Sequence, residues 1–348
     1  MKKTLVAVAA LMAVTGAMAE VTISGTVDLG VTSSTLTSAA GASSVRGGVS
    51  NGINGQDALN FGVSEQLDNG ITAYANINFQ PTTDVAAGPA QDSGSGVGLR
   101  GDFGNVFLGR TWDAVMTSIV FAQPNYGNVQ GVATAHTGFA SVGIKSNTIS
   151  YTTPQLVPGL SATIQKSFGE VANNLGDSTT MAATYSVGGF TGSIARQTEK
   201  EAASTTAWGS ALDWQNSAAA TPALAGTQTI TAGSTTTADG YALSYDFGMV
   251  KVFGSSLTHK SSSDSDLAIV DTLVGLTIPL GANTVTIQMD EDKRTSTAGV
   301  TTTDKGTRFT GTHALSKRTR LFLVYGSITR GASQLAAKQT ALGMQHSF

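Results

Sequence analysis

The last nine residues, Thr340-Ala341-Leu342-Gly343-Met344-Gln345-His346-Ser347-Phe348, alternate in polarity and stop on an aromatic at the C-terminus. Side chains alternate across a strand, so this pattern is that of a strand with one apolar face that ends where the chain ends. Such a strand is expected to close a sheet on itself, as in the β-barrels of bacterial outer membranes. Closure then requires matched strands along the whole chain.

The strands are legible. Val21, Ile23, Val27, Leu29 and Val31 share one face, with Thr22, Ser24, Thr26 and Asp28 on the other. The alternation recurs in Leu59, Phe61, Val63 and in Ile71, Ala73, Ala75, Ile77, Phe79, joined through Asn69-Gly70, a tight hairpin signal. Further turns fall at Gly101 to Asn105, Pro154 to Gly159, Gly188-Gly189, Gly248, Pro279 to Asn283 and Ser316 to Arg318, each between alternating runs. The pattern gives about 16 segments of roughly 8 to 11 residues, the length of a tilted strand crossing a bilayer. Short turns alternate with longer polar stretches at 32–56, 80–94, 111–146 and 198–238, as expected for short periplasmic turns and long external loops. Phe79, Phe103, Phe168, Tyr241, Phe247 and Tyr325, near strand ends, suit aromatic girdles at the membrane interfaces.

The N-terminus supplies an address. Lys2 and Lys3, the apolar run Leu5 to Val14 and Ala17-Met18-Ala19 are the three zones of a secretory signal peptide, so residues 1–19 are expected to be removed and 20–348 to form a single barrel. No other apolar stretch approaches the length of a transmembrane helix. Cysteine is absent, which excludes disulfides and thiolate metal sites. Without Lys2 and Lys3 the 20 basic residues become 18 against 23 acidic, a net charge of −5 with histidine neutral and no footprint for nucleic acid. Charged residues are only 12% of the chain and Gly is 41 of 348, a composition of strands with neutral polar faces rather than of an ordinary soluble enzyme.

Several segments resemble the general-diffusion porins of Gram-negative outer membranes, in particular the β-proteobacterial branch: Val21 to Asp28, Val106-Phe107-Leu108-Gly109-Arg110, Asn147-Thr148-Ile149-Ser150-Tyr151, Ala314 to Thr319 and Gly343 to Phe348. The resemblance implies an all-β, 16-stranded antiparallel transmembrane barrel, a homotrimer in the outer membrane among lipid and lipopolysaccharide, and a third external loop folded into the lumen. That loop would be 111–146, with Pro124-Asn125-Tyr126-Gly127 at its bend. Asn125 stands where such proteins often carry a carboxylate, which leaves Asp113 as the loop's one acid. Of the basic ladder that such porins set across the pore, Arg110 and Lys145 occupy two places. The strand 2 place falls at Ala58, and Arg100, with inward parity, partly replaces the loss. Asp28, Asp290 and Arg308 share that parity and are expected to line the vestibule. Closure of the first strand on the last is expected to bring Glu20 and Phe348 together, where the new amino group would meet the terminal carboxylate.

The expected function is passive diffusion of small hydrophilic solutes and ions, with a weak anion preference set by Arg100, Arg110 and Lys145, and with neither cofactor nor metal. A solute-selective channel and a surface adhesin barrel are the alternatives. Gly48-Val49-Ser50-Asn51-Gly52 matches the nucleophile-elbow pattern but lacks its strand-to-helix context, and His136, His259, His313 and His346 have no ligand spacing.

Overall fold

The computed structural model describes residues 19–38, 40–84, 90–91, 94–122, 142–202, 204–207, 227–262, 268–295, 300–331 and 336–348. Its strands are β1 (Glu20–Thr37), β2 (Ser43–Asn51), β3 (Ala58–Gln66), β4 (Thr72–Gln80), β5 (Ala90–Gln91), β6 (Ser95–Gly101), β7 (Gly104–Trp112), β8 (Ile144–Thr152), β9 (Leu160–Ser167), β10 (Ser178–Val187), β11 (Phe190–Lys200), β12 (Ser204–Ala207), β13 (Thr227–Ile230), β14 (Thr235–Asp246), β15 (Lys251–Ser261), β16 (Ala268–Leu280), β17 (Asn283–Thr295), β18 (Thr301–Ala314), β19 (Thr319–Arg330) and β20 (Ala336–Ser347). All pairings are antiparallel, and they close a 16-stranded barrel. Two places in the ring are each filled by two pieces: β2 and β3 both pair with β1, and β5 and β6 both pair with β4. The β12–β13 hairpin stands outside the ring.

Closure runs from Thr26↔Ser347 to Thr37↔Ala336 between β1 and β20. Phe348 adds a reciprocal pair of backbone hydrogen bonds with Gly25, each 3.0 Å. Gly25 is required there, because an added Cβ would fall 2.5 Å from the Phe348 ring. The expected meeting of Glu20 with the terminal carboxylate is not seen. β1 overhangs the closing strand by five residues, and Glu20 pairs with Ser64 of β3 instead.

The two faces divide as the alternation requires. Val21, Ile23, Ile77, Val97, Leu108, Ile149, Ile194, Leu243, Val274 and Leu323 are exposed on the outside, the pattern of a lipid-facing surface. Tyr245 and Phe247 pack at 4.5 Å beside the β14–β15 turn, as an interface girdle would. Short turns take left-handed residues where the hairpin demands them: Asn69 and Gly70 have φ of 62° and 74°. The 32–56 stretch, expected as a loop, is largely a hairpin, because β1 runs on to Thr37 and β2 spans Ser43–Asn51. Its alternating Val45 and Val49 extend the sheet past the point where a loop was expected.

The lumen and its inward segments

The inner wall has three unlike regions. Across β4, β6 and β7 it is polar and open. The rings of Tyr74 and Phe107 stack with centroids 6.4 Å apart, and Tyr74 Oη donates to Asn105 Oδ1 at 2.8 Å. Both rings lie against glycine: a Cβ at Gly98 would collide with Tyr74, and one at Gly96 with Phe107. The glycines let large side chains lie along the wall rather than project into the channel.

Across β10, β11, β14 and β15 the inner wall is apolar. Ala182, Ala195, Ala238, Ala242 and Leu257 are buried there, covered by Ala114, Val115, Met116, Ile119 and Val120 from the base of loop 111–146. Those loop residues turn inward from β7 as one wide helical turn, in which Phe121 N–H donates to the Met116 carbonyl at 2.8 Å. Gly240 completes the cradle. A Cβ there would lie 2.9 Å from Leu257 Cδ1 and 3.2 Å from two carbons of Ile119.

Asp113 staples this turn to the barrel. Its carboxylate accepts from the backbone N–H of Met116 at 2.9 Å, from that of Gly143 at 2.8 Å and from Gln197 Nε2 at 3.1 Å. Gln165 adds a second clamp, accepting from Ala114 N–H at 2.6 Å and donating to the Trp112 carbonyl at 3.2 Å. Burial pushes the Asp113 carboxyl above the usual carboxylate range, and the Met116 and Gly143 N–H bonds oppose that rise. Asp113 is therefore a structural acceptor at 1% exposure and does not face water.

The third region spans β18, β19, β20 and β1, where Ile53 packs on Phe322, Val324 and Ala341. Ile53 belongs to Gly52 to Asp57, the segment between β2 and β3. Asp28 lies under that segment at 0% exposure and Arg308 at 2%, so neither lines the open vestibule as their parity alone implied. Asp290 points inward at 8% exposure.

The other expected pore residues are dispersed. Arg100 is exposed on the lumen face one residue from the β6–β7 turn, with its guanidinium carbon 5.6 Å over the Tyr74 ring. Arg110 follows a break in the β7–β8 register at Gly109 and donates through Nη1 to Ser146 Oγ at 2.6 Å. Lys145 lies beyond the same break and binds Glu199 Oε2 at 2.5 Å, with both side chains largely buried. Its charge is balanced on the spot. Pro124, Asn125, Tyr126 and Gly127 lie outside the described residues. Arg320, not singled out from the sequence, is exposed on the lumen side and donates to Gln345 Oε1 at 2.5 Å. Its parity with Phe322 and Val324 was the available signal. Among the described residues no group of His, Asp and Glu is arranged to hold a metal.

A barrel with a polar wall, an inward loop base and apolar outer strands narrows the choice of family, and the sequence profile of Gram-negative porins matches residues 7–333. The chain belongs to the Gram-negative porin family. Solved structures agree in fold: an anion-selective porin from Comamonas acidovorans (21% identity, TM-score 0.72, covering 95% of this chain and 100% of that one), OmpT of Vibrio cholerae (10%, 0.68, 95% and 98%) and OmpF of Salmonella typhi (14%, 0.66, 94% and 97%). No curated protein sequence matches the chain. As a porin, the protein sits in the bacterial outer membrane and forms a water-filled channel through which small hydrophilic solutes and ions diffuse.

Proposed function

We propose that this porin is a passive, weakly anion-preferring channel that works as a homotrimer after removal of residues 1–19. The observation that carries the preference is the unequal exposure of lumen charge. Asp28, Asp113, Asp271, Asp290, Asp292 and Asp304 point inward yet are each at most 8% exposed, whereas Glu20, on the same stretch of wall as Arg100, is exposed. Arg100 and Arg320 are exposed on the same lumen, and Arg110 is partly so. A mobile ion interacts most strongly with charges that border the water of the channel, so exposed guanidinium groups outweigh buried carboxylates even in an acidic chain. The Comamonas relative is described as anion-selective and a Vibrio cholerae neighbour as a trimer, which support the two parts of the reading. Diffusion through such a channel needs no catalytic group or cofactor, and the outer face meets lipid and lipopolysaccharide.

The test is single-channel current of purified, folded protein in a planar bilayer. Stepwise conductance that grows in proportion to bulk salt supports passive diffusion. Current that saturates with solute would favour a solute-selective channel. No current from folded protein would leave the adhesin barrel.

A further inference from the structure

Between Asn51, opposite Leu29, and Ala58, opposite Thr26, β1 offers two positions, Val27 and Asp28. The chain fills them with six residues, Gly52 to Asp57. Four are surplus, and because four is even the inside–outside alternation resumes unbroken in β3. The surplus leaves the sheet on the lumen side: Ile53 is 3% exposed against inner-wall side chains of β19 and β20, and a Cβ on Gly55 would strike Gln345 Nε2.

The segment is pinned at both ends. Asp28 Oδ1 accepts from Ile53 N–H at 2.8 Å, and both its oxygens lie 3.2 Å from Asn54 N–H. Gln345 Nε2 donates to Asp28 Oδ2 at 3.1 Å, which orients the carboxylate from β20. At the far end Asp57 Oδ1 accepts from Asp28 N–H at 2.7 Å, taking the place of a ladder bond, and Thr83 Oγ1 donates to Asp57 Oδ2 at 2.5 Å. Asn54, Gly55 and Gln56 stay partly exposed.

The position matters for transport. Phe322 and Val324, under Ile53, stand three and five residues above Thr319 at the base of β19; Ala195, under the loop base, stands five above Phe190 at the base of β11. The two inward segments therefore sit at similar height on different walls, separated by β16 and β17 on one side and by the strands from β3 to β9 on the other. We infer that Gly52 to Asp57 is a second constriction element, which with the base of loop 111–146 sets the size of solute that passes, and that Asp28 is its positioning residue. The inference rests on the channel reading: a wild type without conductance would fail that reading rather than this one.

Two variants test it in the full-length porin, folding being checked by heat-modifiable migration. Deleting 53–56 leaves Gly52 and Asp57 to fill the two β1 positions as a plain strand. The expected result is a unitary conductance higher by roughly half and a larger exclusion limit for neutral sugars in liposome swelling. Folded deletion protein with wild-type conductance and exclusion limit would overturn the proposal. Should the deletion fail to fold, Asn54→Cys in this cysteine-free chain serves instead. Block of the current by thiol reagents, growing with reagent size, supports the proposal, and labelling without effect on current overturns it.

Discussion

Among the described residues two segments enter the lumen, and they are held differently. The base of loop 111–146 rests on an apolar cradle of Ala182, Ala195, Ala238, Ala242 and Leu257, with Asp113 as an added staple. Gly52 to Asp57 has one apolar anchor, Ile53, and otherwise depends on the carboxylates of Asp28 and Asp57. Burying an apolar side chain is worth about 1.5–3 kcal/mol, and a hydrogen bond to a charged group about the same. Five apolar loop residues on a fitted wall thus outweigh one carboxylate staple, whereas a single Ile does not outweigh two. The same device, a buried carboxylate capping inward backbone N–H groups, is secondary in one segment and primary in the other.

The largest effect is expected at the cradle. Gly240→Leu drives a side chain into Ile119 and Leu257, at a cost of about 1–3 kcal/mol or more from overpacking, and pushes the loop base into the channel. Thermal stability in detergent should fall and unitary conductance should drop roughly twofold. Wild-type conductance would mean that the loop base is not seated on this wall.

Next is Lys145→Met, which leaves Glu199 largely buried without its cation, a loss on the order of 3 kcal/mol measured as a lower unfolding temperature. Because that charge is already balanced, the variant should shift ion selectivity less than Arg100→Ala does. A larger shift from Lys145→Met would return Lys145 to the pore ladder.

The two staples can then be set against each other. Asp113→Ala and Asp28→Ala each strand backbone N–H groups at about 1–3 kcal/mol. The first should leave the mean conductance near wild type with added current noise, since the apolar contacts still hold the loop. The second should raise the mean conductance as the segment comes free. The opposite pattern would show that Asp113, and not Asp28, is the main anchor of its segment. The smallest effect is expected for Arg100→Ala, a modest loss of anion preference with conductance otherwise kept, since Arg100 stands one residue from the β6–β7 turn, at the end of the channel.

Period-two alternation made the strands and their inward or outward faces readable, because lipid on one side and water on the other impose that pattern on every strand. The cradle was readable in principle: Ala182, Ala195, Ala238, Gly240 and Ala242 break the polar rule at inward positions. The register breaks at Gly109 and after Asn51 were not, since alternation cannot count residues that leave the sheet. For that reason Lys145 carries the right charge in the right neighbourhood yet meets Glu199, and Asp28 and Arg308 have inward parity yet lie beneath a covering segment.

The most direct test is the zero-current potential of the wild-type channel in a bilayer separating concentrated from dilute potassium chloride. The exposed Arg100 and Arg320 and the half-buried Arg110, set against largely buried carboxylates, predict a potential of the sign set by chloride moving ahead of potassium, diminishing as ionic strength screens those charges. A potential of the opposite sign would show that the carboxylates govern the passage, and would contradict the account.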